Sequence, residues 1–392
     1  MKTSMYSERS LKMKPSFIRE ILKAANQPGM ISFAGGLPNT SLFPAKQMEE
    51  ATKMVFKEYG DQALQYSATE GIPELKDWIK NYYWNEFQMK VEEDEILITS
   101  GSQQGLDLIS RTFINRKDKV LIESPGYLGA INCFESNDAD LMSIPIEGDG
   151  PDIDRLKNVF NFNPDIKLFY AVPTFQNPSG ACYSKEKRNQ IITLMKAHSA
   201  LFIEDDPYGE LYYSGGKYTP MKKQLGDKGI LLGSFSKMLS PGLRVGWVIA
   251  EKQIIKALCK QKQSCDLHTS TLNQYMIYCY LKQNDFKEHL KGLRTFYKKN
   301  CEMMMDEIHQ QLWTKSSFIE PKGGMFLWLD LPKEISIDSL LYKAMSEGVL
   351  FVPGKSFELP GCSNNAIRLN FSNSTFEEIK RGILVLDNII ND

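Results

Sequence analysis

Residues 230–250 read I-L-L-G-S-F-S-K-M-L-S-P-G-L-R-V-G-W-V-I-A. Two short apolar runs flank a turn of Ser, Gly and Pro, so one buried strand enters the turn and another leaves it. Lys237 sits at the strand end beside the hydroxyls of Ser234, Ser236 and Ser240, with Arg244 further on and Gly246 just behind it. A lone lysine in such a place is most often solvated, because lysine is seldom buried without a partner. Here the neighbouring hydroxyls and guanidinium suit an anion that carries an electrophile. An amine must be neutral to attack a carbonyl, and desolvation or nearby positive charge lowers its pKa from an ordinary value of about 10.4. Arg244 suits a phosphate, since its planar fork stays charged and binds two oxygens at once.

Working outward, A-L-F-I-E-D-D-P-Y-G-E-L (200–211) is a buried strand that stops at three acids, with Asp205 and Tyr208 spaced D-x-x-Y. Alternation along the strand puts Asp205 on the face opposite Glu204 and Asp206. I-K-L-F-Y-A-V-P-T-F-Q-N-P-S-G (166–180) is a strand followed by a rigid loop containing Asn177. K-V-L-I-E-S-P-G-Y-L-G (119–129) is another strand, ending in a turn that carries Tyr127. D-E-I-L-I-T-S-G-S-Q-Q-G-L-D-L-I-S-R-T-F-I (94–114) is strand, glycine turn and helix. Its helix start at Ser102 and Gln103 points free amides and the positive dipole end outward, where an anion can sit. Residues 138–165 are polar and Pro-dotted, with a short helix expected at 152–160 and no chemistry.

The ends of the chain carry further signals. A-I-R-L-N-F-S (366–372) alternates about Arg368, and I-S-F-A-G-G-L-P-N-T-S-L-F-P (31–44) is a strand running into Gly35 and Gly36, where backbone can approach a ligand closely. K-P-S-F-I-R-E-I-L-K (14–23) reads as a short helix capped by Ser16, with Phe17, Ile18, Ile21 and Leu22 on one side and Arg19 on another. G-K-S at 354–356 is not a nucleotide loop, because a Walker motif needs glycine in place of Val349.

Composition sets the outer bounds. A chain of 392 residues exceeds a usual single core, and 42% hydrophobic with 24% charged residues is ordinary globular usage. A formal charge of -1 argues against a nucleic-acid footprint. No apolar run is long enough for a membrane span or a signal peptide, so a cytoplasmic protein is expected. Seven cysteines without a C-x-x-C pair fit a reducing compartment, and the four histidines have no ligand spacing, so no metal is expected.

These strings together resemble the class I/II aminotransferases of fold type I, and the 2-aminoadipate, kynurenine and aromatic branch in particular. S-x-S-K…P-G-L-R-x-G-W, P-T-F-Q-N-P-S-G, D-x-x-Y and S-G-S-Q-Q carry the likeness, which runs in family order from Ser16 to Ser372. The resemblance implies an α/β fold: a large domain (46–285) with a mostly parallel sheet sandwiched by helices, and a small α+β domain (1–45 with 286–392). It implies pyridoxal 5'-phosphate as a Schiff base on Lys237, with its phosphate held by Ser102, Gln103, Ser234, Ser236 and Arg244. Tyr127 would stack on the ring, Asp205 would face the ring nitrogen, and Asn177 and Tyr208 would reach the phenolic oxygen. Arg368 would fork the substrate carboxylate, with Asn177, Arg19 and Gly36 near the substrate. Tyr66, in L-Q-Y-S-A-T-E-G-I-P-E-L-K-D-W-I (64–79), would reach the phosphate of a neighbouring subunit, so a homodimer is implied.

The expected activity is transfer of an amino group from an L-amino acid to a 2-oxo acid such as 2-oxoglutarate, by a ping-pong route. The same residues would also support β-elimination or decarboxylation, which differ in the bond at Cα that is set perpendicular to the ring. A non-enzymatic effector module of a transcription factor is the reading from another class.

Overall fold

In the computed structural model, residues 5–7, 10–11, 21, 25, 27–311, 316–362 and 364–391 are described. Apart from Ile21, the helix expected over 14–23 lies outside them, and so does Arg19.

An eight-stranded sheet forms the centre. From edge to edge its order is β2 (Ile96–Thr99), β9 (Gly246–Ile249), β8 (Gly229–Ser234), β7 (Leu201–Asp206), β6 (Leu168–Ala171), β3 (Lys119–Ser124), β4 (Asp140–Glu147) and β5 (Gly150–Pro151). Neighbours from β8 to β4 pair in parallel, whereas β9 is antiparallel to both β8 and β2, and β5 is antiparallel to β4. The mostly parallel sheet expected from the sequence is therefore present. The near-continuous apolar strands follow from having both faces covered. Val120 and Ile122 of β3 join one core with Leu106 and Ile109 of the helix Ser102–Phe113. Leu121 between them joins a second core with Leu156, Phe160, Ile191 and Met195, which come from the helices Ile153–Phe162 and Lys185–Ala197.

The sequence reading of 138–165 captured its helix but not β4. That strand lies next to the sheet edge and alternates only weakly, with Ile144 its one fully buried side chain, so its polar residues mask the period-2 signal.

A second, antiparallel sheet has the order β10 (Ser317–Phe318), β11 (Phe326–Asp330), β14 (Ala366–Asn370) and β13 (Val352–Pro353). A parallel pair, β1 (Ile31–Ser32) with β12 (Val349–Leu350), ties the segment near residue 31 to the C-terminal third of the chain. The helix Phe286–Gln310, capped by Asp285 on the Glu288 amide, packs against the final helix Phe376–Asn391. Among the described residues no helix is long and apolar enough to cross a membrane.

Candidate active site

Five strands of the large sheet, β2 and the run β8, β7, β6 and β3, end at one edge, and the residues just beyond those ends line one cavity of about 1180 Å³. Such a crevice at the carboxyl ends of parallel strands is where an α/β sheet offers converging loops and helix N-termini. β2 delivers Ser102 and Gln103, β3 delivers Tyr127, β6 delivers Asn177, β7 delivers Asp205 and Tyr208, and β8 delivers Ser234, Ser236 and Lys237. Arg244 enters at the start of β9, which runs the opposite way and so begins where its neighbours end. Arg368 comes from β14 of the other sheet, and Gly36 from the segment after β1.

One end of the cavity is an anion cradle. The helix Ser102–Phe113 starts at Gly101, which has no side-chain cap, so the first-turn amides face outward with the positive end of the helix dipole. Gly101 holds φ +84°, and a Cβ there would lie 2.5 Å from Arg244 Nη2. Gly246 is equally confined, since its Cβ would stand 2.8 Å from the Ser102 nitrogen. Arg244 Nη2 donates to the Ser100 carbonyl at 3.2 Å and Nη1 to the Pro241 carbonyl at 3.4 Å, so the guanidinium is aimed across the same turn. Ser234 Oγ accepts the Ser236 amide at 3.1 Å. Ser240, grouped with these hydroxyls in the sequence, does not line the cavity.

Lys237 Nζ donates to the Gly36 carbonyl at 2.6 Å. Burial, with Arg368 and Arg244 adding positive charge, pushes its pKa down to about 8. Asp205 is only 4% exposed, and burial pushes it up to about 6 while the Tyr170 hydroxyl, donating to Oδ2 at 2.7 Å, pulls it back. Its other oxygen, Oδ1, is buried without a hydrogen-bond partner. The flanking acids are occupied elsewhere: Glu204 accepts the Met221 and Lys222 amides at 3.0 and 2.9 Å, and Asp206 accepts the Gly209 amide at 2.9 Å. Neither lines the cavity, as alternation along the strand implied.

Arg368 is buried, contrary to the usual surface position of an arginine in a late strand. Its Nη1 donates to Asn177 Oδ1 at 2.8 Å, Nη2 donates to the Ala34 carbonyl, and Nε has no partner. The guanidinium lies over the Phe326 and Phe357 rings at 4.5 and 4.9 Å. Burial lowers its pKa only to about 10, so it stays charged at neutral pH. Burial holds the Tyr208 hydroxyl well above the ordinary range, an effect that Asn177 opposes. Tyr127 donates to Gln103 Oε1 at 3.3 Å, and burial pushes it up to about 12.

Tyr66 does not line this cavity: it is 79% exposed and meets the His268 ring edge-on at 5.9 Å. Arg19 lies outside the described residues. The sequence reading missed Tyr170, Phe326 and Phe357. A signal for Tyr170 was present, because a tyrosine inside the buried run L-F-Y-A must find a partner for its hydroxyl.

Comparison with known proteins agrees with this geometry. Residues 30–386 match the family Aminotransferase class I and II. The chain is 36% identical to an aromatic-amino-acid aminotransferase of Thermococcus litoralis, over 99% of this chain and 94% of the relative. Among solved structures, a kynurenine aminotransferase of Pyrococcus horikoshii in complex with PMP superposes with a TM-score of 0.94 at 34% identity, covering 99% of this chain and 97% of that one. An α-aminoadipate aminotransferase of Thermus thermophilus, complexed with N-(5'-phosphopyridoxyl)-L-leucine, gives a TM-score of 0.91 at 34% identity, over 99% and 98%. The cavity itself fits pyridoxal phosphate: an uncapped helix start beside a guanidinium for the phosphate, a depressed amine for the aldehyde, and a buried carboxylate oxygen still lacking a donor. By its sequence match, its fold and this donor set, the chain belongs to the class I and II aminotransferases and is a transaminase that uses pyridoxal phosphate.

Proposed function

We propose that this enzyme transfers the amino group of an L-amino acid of the aminoadipate or aromatic kind to a 2-oxo acid such as 2-oxoglutarate, in two half-reactions that share one site. The observation that carries this reading is the meeting of Lys237, Asp205 and Arg368 in one cavity, each poised by burial. The substrate kinds come from the relatives, whose names include aromatic-amino-acid, kynurenine and α-aminoadipate aminotransferases.

Ser102, Gln103, Ser234, Ser236 and Arg244 would hold the phosphate, Tyr127 would wall one face of the ring, and Lys237 would be the point of attachment. Once bound, pyridoxal phosphate supplies an electron sink for the pair left at Cα when its proton departs. Asp205 serves that sink by holding a proton on the ring nitrogen. With a pKa of about 6 it is roughly nine-tenths ionised at pH 7, and Oδ1 is the oxygen with room for the new partner. Arg368 orients the substrate through its α-carboxylate, which fixes the Cα–H bond relative to Lys237.

Lys237 Nζ is the general base that moves the Cα proton. At pH 7.5 a pKa of about 8 leaves roughly a quarter of the amine neutral, against about one part in a thousand at its ordinary value. Phe326 and Phe357 keep water from the flanks of Arg368 and strengthen its hold on a carboxylate.

The two sheets are read as belonging to a large domain over 46–285 and a small domain over 1–45 with 286–392, and residues of both line the cavity. A second copy is read as completing each site with Tyr66. Support comes from the exposure of Tyr66 and Leu64, 79% and 71%, which is apolar surface that such a partner would cover.

A panel of amino donors against 2-oxoglutarate tests the function. Glutamate formed from aminoadipate or an aromatic donor, with no ammonia released when the acceptor is omitted, is the expected result. Ammonia or carbon dioxide released without an acceptor would move the assignment to elimination or decarboxylation.

A further inference from the structure

Glu123 lies near the carboxyl end of β3, is only 1% exposed and takes no part in the chemistry described so far. Its Oε2 accepts the Val172 amide at 3.0 Å and Gln176 Nε2 at 3.1 Å, and its Oε1 accepts the Tyr183 hydroxyl at 2.7 Å. The three donors come from the beginning, the middle and the end of one segment, and Asn177 lies inside it.

Gln176, the residue before Asn177, is itself fully engaged. Its Nε2 also donates to the Pro125 carbonyl at 2.7 Å, and its Oε1 accepts the Ser179 amide and hydroxyl at 2.8 and 2.6 Å. Its backbone amide donates to the Ala181 carbonyl at 2.9 Å, and its carbonyl accepts the Gly180 amide at 2.7 Å. Phe175, one residue earlier, is held at φ +53°, a left-handed conformation that disfavours any residue with a Cβ. Such a conformation persists only where its surroundings over-determine it. Two charged groups among those surroundings bridge both ends of the segment: Arg188, whose Nε donates to the Tyr183 carbonyl at 3.1 Å and Nη2 to the Pro173 carbonyl at 2.8 Å, and Glu123, which also holds the Gln176 side chain next to Asn177.

We propose that Glu123 is a positioning residue for Asn177: its carboxylate ties Val172, Gln176 and Tyr183 together and so fixes where the Asn177 amide stands between Arg368 and Tyr208. The proposal rests on the reading of Asn177 as the cofactor's hydrogen-bond partner. A carboxylate accepts from all three donors at once. The Val172 amide and Gln176 Nε2 can only donate, so in Glu123→Gln the side-chain oxygen must stay on them and the amide nitrogen must face the Tyr183 hydroxyl, which reverses that hydrogen bond and removes the charge from all three. Burial works against this ion and pushes Glu123 up to about 7, while the same three donors pull it back.

The test compares holoenzymes of the wild type, Glu123→Gln, Asn177→Ala and the double variant. The readouts are the absorbance maximum of the bound cofactor, the pH midpoint of that absorbance, kcat/KM and the melting temperature. The expected result is that Glu123→Gln moves the absorbance midpoint in the same direction as Asn177→Ala and lowers kcat/KM about tenfold, the scale of one misplaced active-site hydrogen bond. In the Asn177→Ala background, Glu123→Gln should move the midpoint no further. A Glu123→Gln enzyme with a lowered melting temperature but wild-type absorbance and kcat/KM would reduce Glu123 to a fold-stabilising residue and overturn the proposal. An undiminished Glu123→Gln effect in the Asn177→Ala background would overturn it too. Should Asn177→Ala itself leave absorbance and kcat/KM unchanged, the reading of Asn177 fails, and the positioning role falls with it. If Glu123→Gln does not fold, Tyr183→Phe removes one of the three donors and leaves the carboxylate. The same direction of shift, absent in the Asn177→Ala background, is then expected, and no shift overturns the proposal.

Discussion

Tyr170 donates its hydroxyl to Asp205 Oδ2 at 2.7 Å, and Asp205 Oδ1 is left buried without a partner. One oxygen is thereby committed to the fold, and the other is the one that would meet the ring nitrogen on the proposed reading. Tyr170 also opposes the effect of burial on the Asp205 pKa. Tyr170→Phe removes that donor while keeping the ring packed against Phe134. Asp205 should then hold its proton to higher pH, and the acid limb of kcat/KM should move up by about one pH unit, the scale of a lost hydrogen bond to a charged group. A pH–rate profile checks the direction, and a limb that stays put or moves down would count against the role given to Tyr170.

Arg368 is held by Asn177, by the Ala34 carbonyl and by two aromatic faces, so its fork has little freedom. Arg368→Lys keeps the charge but loses the planar pair of donors. A fall of about a hundredfold in kcat/KM for the amino donor is expected, mostly through KM. Steady-state kinetics with one donor and its matching 2-oxo acid should show the loss for both, since both carry the same carboxylate.

At the phosphate cradle, Gly101→Ala brings a Cβ to 2.5 Å from Arg244 Nη2 at a backbone φ of +84°. The guanidinium must move or the turn must open. Cofactor affinity should drop by about tenfold or more, read as the dissociation constant of pyridoxal phosphate from the reconstituted apoenzyme. An unchanged affinity would mean that this turn does not hold the phosphate.

If Lys237 is the attachment point, reconstitution of the apoenzyme should have a pH dependence set by it, because only the neutral amine attacks the aldehyde. Its pKa lies below the ordinary value, at about 8, so the neutral fraction grows as pH rises and is nearly complete above that point. The rate of covalent attachment should therefore climb about tenfold per pH unit below pH 8 and level off above it. Stopped-flow absorbance would show it, and a rate still climbing tenfold per unit at pH 10 would mean that Lys237 is not depressed.

The sequence made the large sheet and most of the cavity legible for a physical reason. Residues that act on one ligand sit just past strand ends, and strand ends are marked locally by apolar runs stopping at Gly, Pro and polar residues. Lys237, Asn177 and Asp205 could each be placed in this way, one string at a time. β4 escaped because a strand near the sheet edge keeps polar side chains. Tyr170, Glu123 and the Phe326–Arg368–Phe357 stack escaped because they depend on pairing between strands or on contact between the two sheets. Arg368 could be picked out by its residue type and strand, but its burial between two rings comes from residues 42 positions before it and 11 before it, a distance in sequence that no local pattern spans.

The role of Lys237 as the attachment point is tested most directly by reducing the holoenzyme with borohydride and mapping the modified peptide by mass spectrometry. A single pyridoxyl group on Lys237, absent from Lys237→Ala, is the expected result. A label on any other lysine, or a Lys237→Ala enzyme that still carries the covalent cofactor, would contradict it.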